Sequence, residues 1–118
     1  MAGIFYLSAQ SNPPVPGPIP DWILHGVEYC GLGIVVFRAV AGGLGAPLTA
    51  ATVTTTLLIT LAYAISDEVH QMFVPYRTAD IRDVLADAAG AALALVACWA
   101  CHIIATLSRR ASRPDARH

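Results

Sequence analysis

The run Ser66-Asp67-Glu68-Val69-His70-Gln71-Met72-Phe73-Val74-Pro75-Tyr76-Arg77 crowds carboxylates, an imidazole, a carboxamide and a guanidinium into one short stretch. Downstream, Arg82, Asp83 and Asp87 add more charge, and upstream His25, Glu28 and Tyr29 stand three and four residues apart. Groups of these types can exchange protons, ligate a metal or hydrogen-bond a polar ligand. What sets them apart is the chain around them, which is almost unbroken apolar sequence. Ionisable groups at the edge of a bilayer are costly, and they are kept mainly where they pair or perform some task.

Each chemistry makes its own demand. Acid–base work needs paired titratable groups held in a shielded site, and the inventory can supply them. Metal binding has suitable donors in His25, Glu28, Asp67, Glu68, His70 and Asp83, but their order matches no closed zinc signature, so no metal is expected. No nucleophile elbow, phosphate loop or dinucleotide fingerprint is present, and no cofactor is expected. Cys98-Trp99-Ala100-Cys101 has redox spacing but lies within an apolar run, where both thiols read as packing groups. With three cysteines, all in apolar segments, a disulfide framework is not expected.

The elements that must position these groups follow from composition. The chain has 118 residues, 56% hydrophobic and only 13% charged, about half the charged share of a soluble domain. A core of this size could not hide so much apolar surface from water. Three runs are long enough to cross a bilayer, at about 22–40, 48–65 and 84–107. Each must be a helix, because an open strand would leave its backbone unsatisfied in lipid. The expected fold is all-α, a transmembrane bundle of three full spans plus a truncated N-terminal helix stub at residues 1–8. Residues 1–108 form one membrane domain, and 109–118 form an Arg-rich tail. A Pro-rich linker runs from Ser11 to Pro20, and Asp21 can cap the helix that follows.

Helical spacing then sorts the polar groups into faces. His25, Glu28 and Tyr29 share one face of the first span. Thr49, Thr52, Thr56, Thr60, Tyr63 and Asp67 form a hydroxyl-lined seam on the second, read as helix–helix contact rather than a conduit. Asp80, Asp83, Asp87, Gly90 and Ala94 line the third, where the small residues let a neighbouring helix approach. Glu28 and Asp87 lie deepest, and Arg77, Arg82, His25 and His70 are the candidates to pair with them. The Gly-rich turn Ala41–Pro47 makes the first two spans an antiparallel hairpin, so all three stripes meet at one membrane boundary. Arg38, Arg109, Arg110, Arg113 and Arg117 gather on the opposite side, which the positive-inside rule makes cytoplasmic. The polar cluster therefore faces outward.

The order His25-x-x-Glu28-Tyr29-x-x-Leu32-Gly33, then Asp67-Glu68-x-x-Gln71-x-Phe73-Val74-Pro75-x-Arg77, then Asp83-Val84-x-x-Asp87-x-x-Gly90 resembles the VanZ-like membrane proteins. The likeness runs from about Leu7 to Ala97 and includes Ser8-x-Gln10. It implies a small multi-pass helical protein, usually of four spans, whose founding member is associated with low-level resistance to the glycopeptide teicoplanin. Here the family's first helix is represented only by Met1 to about Ser8, the source of the stub expectation. Trp22 stands where a Lys often follows the Asp. Tyr76 replaces the usual Gly before the Arg, which argues against a special backbone conformation at that position.

The resulting reading is a multi-pass cell-membrane protein with an outward pocket that binds or modulates an envelope component. Its pocket candidates are His25, Glu28, Tyr29, Asp67, Glu68, His70, Gln71, Pro75, Arg77, Arg82, Asp83 and Asp87, with Gly90, Ala94, Thr52, Thr56 and Thr60 as packing positions. Membrane lipids are the expected partners, with a lipid-linked cell-wall precursor as the specific candidate. A net charge of −1 gives no ground for a nucleic-acid partner. Two alternatives stay open: an intramembrane enzyme using a carboxylate–His pair on a lipid-linked headgroup, and a structural subunit of a membrane complex.

Overall fold

A computed structural model of the chain describes Gly3, Tyr6 and residues 19–112. The apolar runs become three helices, α1 (Asp21–Ala41), α2 (Ala50–Gln71) and α3 (Ile81–Ala111), each long and apolar enough to cross a membrane. Gly3 and Tyr6 are helical; the rest of the expected stub, Ser11 to Gly17 and Pro18 of the linker, and Arg113 and Arg117 lie outside the described residues.

The helices reach beyond the expected apolar spans. α2 does not stop at Ile65 but continues through Gln71. Asp67, Glu68 and Gln71 occupy successive inward positions and are all buried, so the polar run extends the helix instead of ending it. α3 begins at Ile81, where the Asp80 side chain accepts from the Arg82 N–H at 2.9 Å and caps the helix. It also runs past Leu107 through Arg109 and Arg110, cations that suit the carbonyl end of a helix. Asp21 is not a cap. Pro20 holds that position without a side-chain bond, and Asp21 is the first helical residue. At the start of α2, Thr49 and Thr52 form a reciprocal capping box, so the Thr52 hydroxyl is used at the helix end.

α1 and α3 run parallel and form the tightest pair. A Cβ added at Gly90 would collide with the Gly26 carbonyl oxygen and come within 2.9 Å of Cys30 N. At Gly33 it would lie 2.8 Å from Ala94 Cβ. Small residues on both helices thus let the backbones meet, the usual route to association in lipid. α2 lies antiparallel against both, with Thr56, Thr60 and Ala64 buried. Two apolar clusters fill the interior. One joins Tyr29, Leu32, Val36 and Ala64; the other joins Phe37, Leu95 and Cys98. Outward, Val27, Val35, Leu58, Leu85, Leu93, Trp99 and Ile104 are exposed, as a lipid-facing surface requires.

The α2–α3 loop contains one backbone feature that the sequence argued against. Tyr76 has φ 66°, in the left-handed region, with its side chain 98% exposed. It sits inside a turn closed by the Arg77 N–H, which donates to the Val74 carbonyl at 3.2 Å.

Candidate functional site

The first two turns of α1 and of α3 face each other, and this pairing positions the central group. His25 Nδ1 donates to Asp87 Oδ1 at 3.1 Å, and His25 Nε2 lies 3.9 Å from Asp83 Oδ2. All three residues are buried, with His25 4%, Asp83 7% and Asp87 1% exposed. The close Gly26–Gly90 crossing one turn away explains why such short side chains can reach one another.

The last two turns of α2 complete the cluster. Glu68 Oε2 accepts from the backbone N–H of Asp80 at 3.0 Å, tying the end of α2 to the start of α3. Glu68 is also within electrostatic reach of His25, Asp83 and Asp87. Asp67 interacts in the same way with Glu28, Tyr29 and Asp87. Four acidic side chains, Asp67, Glu68, Asp83 and Asp87, are therefore buried together. Glu68 Oε1, Asp87 Oδ2, Tyr29 Oη and Thr56 Oγ1 are buried without a hydrogen-bond partner among the described residues. Tyr29 packs its ring against Tyr63, with centroids 6.5 Å apart.

Above this buried layer lies a rim. Arg77 Nη1 donates to Asp21 Oδ2 at 2.6 Å, joining the α2–α3 loop to the first residue of α1. Asp21, Trp22, Tyr76, Arg77, Thr78, Asp80, Arg82 and Asp83 surround a hollow of about 280 Å³. A second hollow, about 410 Å³, runs down the outer groove between α1 and α3 and is lined by Trp22, Ile23, Gly26, Val27, Gly90, Leu93 and their neighbours. Trp22 borders both. A polar chamber and an apolar groove therefore meet at a single side chain.

The sequence-derived residues divide by depth. His25, Tyr29, Asp67, Glu68, Gln71, Asp83 and Asp87 are buried, Glu28, His70 and Arg77 are half-buried, and Pro75 and Arg82 are exposed. Of the four groups considered as partners for the deep carboxylates, His25 contacts Asp87, whereas Arg77 pairs with Asp21. Asp21 is the residue that sequence reasoning missed as a site member. Its donor oxygen, one from Asp83 and a ring nitrogen of His25 all lie within 4.8 Å of one another. The available signal was the four-residue step from Asp21 to His25, which puts both on one helix face. Gly90 and Ala94 lie in the α1–α3 contact, and Thr56 and Thr60 are buried on α2, where the Thr60 hydroxyl donates to the Thr56 carbonyl at 2.8 Å. Cys30, Cys98 and Cys101 are free thiols.

A family model described as VanZ/LLP1 matches residues 21–104. That stretch begins at the first residue of α1 and takes in every side chain of the buried cluster and its rim. No curated protein and no solved structure matches the chain.

Proposed function

This chain belongs to the VanZ/LLP1 family of membrane proteins, and from that premise we propose that it holds the headgroup of a cell-envelope lipid in the hollow at the rim of its three spans. The observation that carries this reading is the junction at Trp22. An apolar groove that could take an acyl or isoprenoid chain opens there onto a polar chamber of headgroup size. Arg77 and Arg82 offer guanidinium donors to phosphate-type oxygens. The carboxylates of Asp21, Asp80 and Asp83 accept from sugar hydroxyls or amines. A lipid-linked cell-wall precursor combines both kinds of group on one long apolar chain.

Orientation is part of the proposal. Arg38 lies in the last turn of α1 and Arg109 and Arg110 in the last turn of α3, at the end of the bundle away from the hollow. The positive-inside rule then makes that end cytoplasmic and opens the hollow to the outer face. A protein that engages a cell-wall precursor there would alter tolerance to glycopeptides, which act on the same layer.

Native mass spectrometry of the purified protein tests the reading. Wild type is expected to carry a lipid with a charged headgroup, and Arg77→Ala and Arg82→Ala to lose it, with Arg109→Ala unaffected. Equal lipid occupancy in all four proteins would overturn it. One observation favours a second reading, an acid–base enzyme: His25 and Asp87 form a hydrogen-bonded dyad shielded from solvent. Its signature is turnover of a lipid-linked substrate with a bell-shaped pH profile, lost in His25→Gln.

A further inference from the structure

The buried cluster holds more carboxyl oxygen than its hydrogen bonds use. Glu68 is 6% exposed and Asp87 1%, yet Glu68 Oε1 and Asp87 Oδ2 have no hydrogen-bond partner among the described residues. A buried carboxylate oxygen with no donor nearby is expensive in a membrane interior. Neither oxygen belongs to the three donors argued below, so a cation bound there would offset this cost through the field of the cluster and not by ligating them.

His25 is oriented for such a role. Its Nδ1 is engaged by Asp87, so its Nε2 is directed at Asp83 Oδ2 from 3.9 Å. That separation is too long for a hydrogen bond. Two donors on one ion of about 2.1 Å bonds stand about 3.0–3.4 Å apart, so this pair would close by about 0.5 Å to share one. Asp21, one turn before His25 on the same face, brings a third donor, and all three lie within 4.8 Å of one another. The surroundings reproduce the outer layer of a metal centre. A carboxylate holds the far nitrogen of the histidine, and Arg77 holds the carboxylate of Asp21.

We infer that Asp21, His25 and Asp83 form a three-donor site for one divalent transition-metal ion, positioned by Asp87. One imidazole and two carboxylates, with no thiolate, suit ions of the zinc, cobalt and manganese class. Three protein donors leave at least one coordination position open, the pattern of reactive rather than closed structural sites. Asp21 and Asp83 also border the rim hollow. The four-residue step from Asp21 to His25 marks two of the donors in sequence, but Asp83 joins them only through the α1–α3 crossing. The inference stands apart from the headgroup proposal, since the ion alone tests it.

The test is titration of the full chain in detergent micelles with Co²⁺ as the probe, followed by visible absorption, with Zn²⁺ as competitor. The expected result is one Co²⁺ bound per chain, displaced by Zn²⁺. Asp83→Asn and His25→Gln should abolish the bands, and Asp87→Asn should weaken binding about tenfold or more. Asp21 is largely outside the buried layer, so Asp21→Asn should keep the helical circular dichroism of wild type while losing affinity. Absence of saturable Co²⁺ binding in wild type overturns the inference. So does binding that survives both Asp21→Asn and Asp83→Asn, since the ion would then lie elsewhere.

Discussion

His25 and Asp87, 62 residues apart in sequence, meet across 3.1 Å between α1 and α3 with both side chains shielded from solvent. A hydrogen bond to a charged group contributes about 1.5–3 kcal/mol, and removing one partner leaves the other buried and unsatisfied. His25→Leu and Asp87→Leu should each lower stability in detergent, and the double substitution should cost less than their sum. A double-mutant cycle is expected to return a coupling of about 1.5–3 kcal/mol. Additivity within about 0.5 kcal/mol would mean that the contact does not tie the two helices together.

Gly90 makes a sharper steric prediction. A Cβ there meets backbone, the Gly26 carbonyl and Cys30 N, so neither neighbour can move aside as a flexible side chain would. Gly90→Ala should cost about 1–3 kcal/mol by forcing α1 and α3 apart. Gly31, two helix positions before Gly33, has nothing within 4 Å of an added Cβ. Gly31→Ala is therefore the matched control and should be neutral or slightly stabilising. Thermal unfolding of both variants in one detergent compares them directly, and equal melting temperatures would refute the close crossing.

Tyr76 holds a left-handed backbone at φ 66° while its ring makes almost no contact. For a residue with a Cβ this conformation costs about 1–2 kcal/mol. Glycine escapes that cost but loses up to about 1 kcal/mol through its freer unfolded chain. Tyr76→Gly should accordingly gain about 0.5–1 kcal/mol, whereas Tyr76→Ala, which keeps the strain, should gain nothing. A loss of stability in both variants would show that the exposed ring itself anchors the loop, as aromatics do at a membrane interface.

The helices were legible because twenty apolar residues in a row admit one structure in lipid, and the stripes were legible because 3.6-residue periodicity is rigid. Helix ends were less so. Ser66–Gln71 looks like a boundary by composition, yet Asp67, Glu68 and Gln71 all turn inward, and burial among other polar groups keeps them helical. Partner choice was not legible at all. Arg77 could reach several carboxylates in principle. Across the α2–α3 loop it pairs with Asp21, and across the crossing at Gly90 His25 meets Asp87. Those outcomes depend on how two elements dock, which no local spacing encodes.

Orientation yields the last prediction. The exposed loop residue Thr78 and Ser112, the residue that caps the end of α3, stand at opposite ends of the bundle. In a background with Cys30, Cys98 and Cys101 changed to Ala, Thr78→Cys should react with a membrane-impermeant maleimide on intact cells. Ser112→Cys should react only after the membrane is opened. The driving force is the arginine imbalance: Arg38, Arg109 and Arg110 lie near one boundary, with Arg113 and Arg117 following in sequence, against Arg77 and Arg82 near the other. Changing Arg109 and Arg110 to Glu should therefore reduce the preference and yield a mixed population, read as partial labelling at both positions. The reverse pattern in the unmodified background, with position 112 labelled on intact cells and position 78 protected, would put the hollow on the cytoplasmic face and remove the outer-envelope lipid from consideration.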